Sequence, residues 1–234
     1  MRKMYFFGCS YTYGHGLEDC IEVPSMMAGQ NPSKLNWAQM LGDDLGFEVV
    51  NFAFPGASNK HIMHVINCEQ HDLEPGAPVV IHWSHFERTM RFNAELERPW
   101  LPYHTNGRPS WESCVEKIGP WLENDLGNSY YAYIQSDLND AYELAWFIDY
   151  ATLKLAKRGA GPVLHLGPAR WAPDQAEVIS KFIDNDVHWP AMSIIEKDEP
   201  KGYDKAQDNK HPGPRANRSF ADDVIARYSN FLKS

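Results

Sequence analysis

Short apolar runs alternate along this chain with stretches whose apolar positions recur at helical spacing. Residues 4–7 form a first run that stops at Gly8. Residues 36–45 place Trp37, Met40, Leu41 and Leu45 on one helical face, with Gly46 suited to the position after the helix end. A second run, 48–53, leads into the turn Pro55-Gly56-Ala57-Ser58-Asn59 and a helix carrying Ile62, Val65 and Ile66. Pro75-Gly76 breaks the chain before a third run, 79–83. A helix over about 140–158 ends at Gly159, and a fourth run covers 163–166. Strands alternating with helices are the pattern of βαβ units, so the chain predicts a three-layer α/β/α domain with a parallel sheet of about five strands. The last helix is expected from Ser219-Phe220-Ala221-Asp222 onward, a capping-box pattern with Asp in the usual Glu position. Val224, Ile225, Tyr228, Phe231 and Leu232 supply its apolar stripe.

One stretch breaks the rhythm. Residues 91–139 hold Trp100, Trp111, Trp121, Tyr130, Tyr131 and Tyr133 among scattered Pro and Gly. A structureless loop of that length is unusual in a compact domain. It reads as an aromatic-rich insertion, with some helix of its own, over one end of the sheet. Its rings serve either to pack the insertion or as a platform for a sugar or acyl group. There is no internal repeat or linker, and 234 residues suit one domain over 1–234.

Charge and cysteine content narrow the function classes. The 31 acidic residues exceed the 22 basic ones, giving a formal charge of −9 without a Lys/Arg run. Nucleic acid is therefore not an expected partner, because phosphate neutralisation needs clustered positive charge. A membrane is not expected either: no apolar run approaches the roughly 18 residues of a span. The start resembles a signal peptide only as far as Gly8, short of the roughly 7–15 apolar residues such a segment needs. Cys9, Cys20, Cys68 and Cys114 have no metal-like spacing and read as free thiols in a reducing compartment.

Two segments far apart carry candidate chemistry. Gly8-Cys9-Ser10-Tyr11-Thr12-Tyr13-Gly14 puts a serine just after the first strand, at a helix start with its favourable dipole. Asp208-Asn209-Lys210-His211-Pro212 puts a carboxylate and an imidazole just before the last helix. A serine is a weak nucleophile at neutral pH; it needs a base, a partner that fixes the base's tautomer, and N–H donors for the developing oxyanion.

In these segments the chain resembles the SGNH (GDSL-like) hydrolase family, which is recognised by four ordered blocks in a flavodoxin-like sheet. The first, of G-D-S-x-T-x-G type, matches residues 8–14 except for Cys9 in place of Asp. Asn51-Phe52-Ala53-Phe54-Pro55-Gly56-Ala57-Ser58 is similar to the second, with Gly56 as an oxyanion donor. The fourth, D-x-x-H-P, is matched fully by residues 208–212. The third departs: His82-Trp83-Ser84-His85 stands where G-x-N-D is usual, so Ser84 falls on the position of the oxyanion-binding Asn. A hydroxyl donates one hydrogen bond with shorter reach than an amide. The Trp-Ser strand end followed by Arg88 is similar to a phage or environmental branch of the family.

The resemblance implies a serine esterase. Ser10 would be the nucleophile, His211 the base and Asp208 its orienter, with Ser10, Gly56 and Ser84 around the oxyanion. Trp83, His85 and Arg88 would line the substrate site. The implied substrate is a small-molecule or glycan ester, an acetylated carbohydrate being preferred, and no cofactor is needed. The alternative is a non-catalytic glycan-binding or virion-associated structural module that keeps the fold. The protein is accordingly expected in the cytoplasm or on a virion.

Blander readings stand beside these. Ser10 also suits a helix cap. Cys9 should point away from Ser10 by strand alternation and be buried and inert. Arg88 could equally form a structural salt bridge, and His82 or His85 a structural contact. His61 and His64 have the i, i+3 spacing of a metal pair but lack a third ligand at suggestive spacing, so no metal is expected.

Overall fold

A computed structural model describes residues 1–22, 25, 27–68, 73–85, 92–93, 98–99, 136–167, 177, 179, 181 and 204–234. In chain order its elements are β1 (Lys3–Phe7), α1 (Ser10–Tyr13), β2 (Ile21–Glu22), β3 (Met27–Ala28), α2 (Trp37–Leu45) and β4 (Glu48–Asn51). Then come α3 (Asn59–Cys68), β5 (Val79–His82), β6 (Phe92–Asn93), β7 (Arg98–Pro99), α4 (Asp137–Lys157), β8 (Val163–Leu166) and α5 (Pro214–Lys233).

Four parallel strands form the central sheet in the order β4-β1-β5-β8. The expectation was about five; the described residues supply four. Two antiparallel pairs, β2–β3 and β6–β7, lie outside it and escaped the sequence reading because each strand is only two residues long. Residues 92–93, 98–99 and 136–139 are the parts of the expected insertion whose backbone is described; Trp100, Trp111, Trp121, Tyr130, Tyr131 and Tyr133 lie outside the described residues.

The layers follow from side-chain alternation along β1. Tyr5 and Phe7 join one core with Ile62, Ile66, Val79, Ile81, Leu144 and Ile148, under α3 and α4. Met4 and Phe6 face the other way, into a core with Trp37, Leu41, Val80, Leu164, Phe220 and Val224, under α2 and α5. Every residue of β5 is buried, as a strand covered on both faces requires. Truncating a fully buried ring such as Phe6 would cost about 3–5 kcal/mol.

The ends of three elements differ from expectation for local reasons. α4 begins at Asp137, three residues early, because Ser136 accepts the Asn139 N–H as its N-cap. β4 stops at Asn51, whose Oδ1 takes the Ala53 N–H. α5 begins at Pro214, not near Ser219. Pro suits the first helical position, and a distant carboxylate does the capping: Asp204 accepts from Arg215 N and Ala216 N, each at 2.8 Å. Sequence-local capping rules do not reach a cap supplied from ten residues away. Among the described residues, no helix is long and apolar enough to cross a membrane.

Candidate active site

The C-terminal ends of β1 and β5 lie side by side, since Phe7 pairs with Ile81. Ser10 and Ser84 therefore leave adjacent strand ends. Ser10 opens α1, a single turn that runs only to Tyr13, so the expected dipole support is slight. What holds this turn is side-chain wiring. Asn36 Nδ2 donates to the Thr12 and Tyr13 carbonyls, and Asn51 Nδ2 donates to Thr12 O at 2.8 Å. Gly14, at φ 82°, closes the turn by donating its N–H to Ser10 O. Gly8 is required beneath it, because a Cβ there would strike the Thr12 side chain.

Opposite Ser10 stands the loop before α5. Asn209 N donates to Ala206 O and Ala206 N to His211 O, a tight turn in which Asn209 adopts φ 56°. Asp208 Oδ1 accepts from the backbone N–H groups of Lys210 and His211. Its Oδ2 lies 2.5 Å from His211 Nδ1. Burial pushes the Asp208 carboxyl up, but hydrogen bonds from the His211 ring and from these two N–H groups outweigh it. The net result lies well below the ordinary carboxylate range. An ionised Asp208 accepts the Nδ1–H, which leaves Nε2 as the acceptor nitrogen of a neutral His211.

Three residues that the sequence reading missed pack this loop against α1. The Tyr11 ring meets His211 edge-on at 5.7 Å between centroids, and His15 lies against it at 4.7 Å. Gln207 N donates to Gly16 O, and Gly16 sits at φ 90° with the Asp208 carboxylate only 2.8 Å from where a Cβ would be. Their only signal was position: His15 and Gly16 follow the first block directly. His15, Asp208 and His211 each offer a ligand atom, all within 4.8 Å of one another, so this trio could hold a metal ion. Both Asp208 oxygens already accept hydrogen bonds, the wiring of an oriented base rather than a vacant ligand.

On the far side of Ser10, Gly56 turns the β4–α3 loop at φ 78°. Among the described residues, neither Ser10 N–H nor Gly56 N–H makes a hydrogen bond. Both are thus available to an oxyanion. Ser10 Oγ likewise makes none, to His211 or to any other group described. In substrate-free sites such contacts are often long and tighten in the complex.

Several solved structures share this architecture. A carbohydrate esterase family 2 enzyme with a carbohydrate-binding domain, from Corynascus thermopiles (Myceliophthora fergusii), matches with a TM-score of 0.58 at 11% identity, over 100% of this chain and 67% of that one. The psychrotrophic esterase EstA from Pseudoalteromonas, inhibited by monoethylphosphonate, matches with 0.54 at 11% identity over 100% of both chains. A lipolytic protein of the G-D-S-L family from Veillonella parvula matches with 0.50 at 12% identity, over 97% of this chain and 98% of that one. No family model and no curated protein matches the sequence. The chain has the SGNH hydrolase fold.

Within this SGNH fold the remaining expected site residues separate. Trp83, expected at the substrate, is fully buried in the α3/α4 core. Its Nε1 donates to His165 Nδ1 at 3.2 Å, and His165 Nε2 in turn meets Thr152 Oγ1 at 2.8 Å. One residue past the strand end, it still follows the alternation of β5 and points inward. His82 is equally internal, between Trp37 and Phe220, with Nδ1 on Thr12 Oγ1; burial pushes its pKa down to about 4. Cys9 is buried in the core, as alternation predicts. His85, 8% exposed, reaches the site through Tyr11, whose ring it meets at 6.1 Å. Ser84 is buried at the β5 end, with its N–H given to Asn59 Oδ1 at 2.7 Å. His61 is half-buried against Phe54, and this partial burial, with the neighbouring His64, lowers its pKa to about 4. Arg88 lies outside the described residues.

Proposed function

We propose that this chain is a serine esterase that forms an acyl-enzyme on Ser10. The observation that carries the proposal is the Asp208–His211 pair, held by backbone hydrogen bonds and packed through Tyr11 against the turn that begins at Ser10. In the first half-reaction His211 Nε2 takes the Ser10 proton as Oγ attacks the ester carbonyl carbon. The oxyanion is held by the N–H groups of Ser10 and Gly56. Collapse breaks the ester C–O bond, and protonated His211 gives its proton to the leaving alkoxide. In the second half-reaction water attacks the acyl carbon with His211 as base, the bond to Ser10 Oγ breaks as His211 returns the proton to Oγ, and a carboxylic acid leaves.

A small acyl group suits a nucleophile that is 4% exposed. An acetyl ester on a carbohydrate is the preferred substrate class, in keeping with the carbohydrate esterase among the fold's relatives. The test is hydrolysis of short p-nitrophenyl esters and acetylated saccharides by wild type and Ser10→Ala, with fluorophosphonate labelling mapped to its residue. Labelling at Ser10 and loss of activity in Ser10→Ala support the esterase; full activity in Ser10→Ala refutes it. The rival reading, a non-catalytic glycan-binding module, draws on Ser84 at the position of an expected oxyanion donor. Absence of labelling at every pH would favour it.

A further inference from the structure

We infer that Asn59 supplies the side-chain amide of the oxyanion hole, in place of the strand-end Asn that Ser84 has displaced; this rests on the esterase reading above. The β4–α3 loop is tied down on both sides of β1. On one side Phe52 N donates to Phe6 O and Phe54 N to Gly8 O, continuing alongside β1 past its last paired residue. On the other, Asn59 Oδ1 takes the N–H of Ser84, at the end of β5. Because β4 and β5 flank β1 on opposite sides, the loop from Phe54 to Asn59 crosses the C-terminal end of β1, where Ser10 stands. Gly56, the backbone donor, lies in mid-crossing, and Asn59 completes it.

The orientation of the Asn59 amide follows from chemistry. An N–H must meet an oxygen, so Oδ1 faces Ser84 and Nδ2 occupies the other arm of the fork. Asn59 is 6% exposed, and Nδ2 makes no hydrogen bond among the described residues. Nδ2 is not one of the fully enclosed polar atoms that lack a partner among the described residues, so it keeps an open side on which an incoming oxygen can be bound. Ser58 contributes by accepting the His61 N–H, which starts α3 and holds Asn59 at its first residue. The Ser84 N–H fixes the amide, and the amide is the group that reaches the oxyanion. The sequence Gly56-Ala57-Ser58-Asn59 thus carries a backbone donor and a side-chain donor in one loop.

Asn59→Asp tests this. Its carboxylate still accepts from Ser84, but both N–H donors are gone. With p-nitrophenyl acetate, kcat should fall on the order of 10²- to 10³-fold with KM little changed. A purely structural role would instead lower the melting temperature and leave kcat of the folded fraction intact. A folded Asn59→Asp with kcat within about tenfold of wild type, alongside an inactive Ser10→Ala, overturns the inference while leaving the esterase reading in place. Activity in Ser10→Ala overturns both. Should Asn59→Asp not fold, a structure of the wild-type phosphonate adduct decides. Asn59 Nδ2 within about 2.7–3.1 Å of the phosphonyl oxygen is the expected result, and a separation beyond hydrogen-bond reach overturns it.

Discussion

The two sides of Ser10 are built differently. On the base side, Asp208, Asn209, Lys210 and His211 sit in one tight turn, and the hydrogen bonds between Asp208 and His211 span three residues, while Tyr11 and His15 pack on the ring from the first block. On the proposed oxyanion side the groups come from three strand ends: Ser10 after β1, Gly56 and Asn59 after β4, and Ser84 after β5. A local device must keep its residues in register, so its motif survives intact. A device assembled across strands can exchange which strand supplies a given group, provided the group arrives at the same place. The chain keeps D-x-x-H-P in full and departs from G-x-N-D.

The largest effect expected from breaking the base side is that of His211→Ala. Its kcat should fall on the order of 10⁴-fold or more, with the melting temperature nearly unchanged, because the ring is the base of the proposed mechanism and is not part of either core. A loss below about tenfold in steady-state assays would mean that the base side is ornamental.

Acid separates the two sides next. His82 on β5 and His61 on α3 both belong to the oxyanion side and are held to about 4 in the folded protein. Both are lowered from about 6.5, so the unfolded chain binds their protons first. Their contribution is therefore complete above about pH 6.5 and lost as pH falls towards 4, on the order of 3 kcal/mol for fully buried His82. Asp208 is depressed instead below the carboxylate range, so its contribution persists until far more acid conditions. Thermal melts between pH 7.5 and 4.5 should show the decline, and its slope should shrink in His82→Gln. A flat profile would show that the two histidines are not held neutral.

Gly16→Ala should be smaller but specific to the base side. The new Cβ would press on the Asp208 carboxylate at 2.8 Å from a backbone at φ 90°. A cost of about 1–3 kcal/mol in stability and up to roughly 10²-fold in kcat is expected from chemical denaturation and steady-state kinetics. Wild-type values in both would remove Gly16 from the device. The smallest effect is that of Asp204→Ala, which removes the cap of α5 and should cost about 1 kcal/mol in denaturant unfolding. Activity should follow that change in stability and not exceed it, since Asp204 touches neither Asp208 nor His211.

Much of this architecture was legible in the chain itself. Alternating apolar runs determined the four described strands of the sheet and which of their side chains face which core, because the pleat has a period of two and both faces are covered. The positions of Ser10 after the first strand and of Asp208 and His211 before the last helix were legible because each lies in a contiguous motif next to an element boundary. Trp83 was misread as a substrate contact, since its burial depends on the strand's alternation continuing past the last paired residue. The cap of α5 was misplaced because Asp204 acts from outside the helix.

What tertiary structure alone decided is the pairing across strand ends. It brought His15 against His211 and Gly16 against Asp208, and it laid the β4–α3 loop over the root of Ser10, so that Asn59 meets Ser84. The chain specifies each of these residues, but not their neighbours: the strand order β4-β1-β5-β8 is a matter of packing two cores on one sheet. Only that order makes residues 59 and 84 partners.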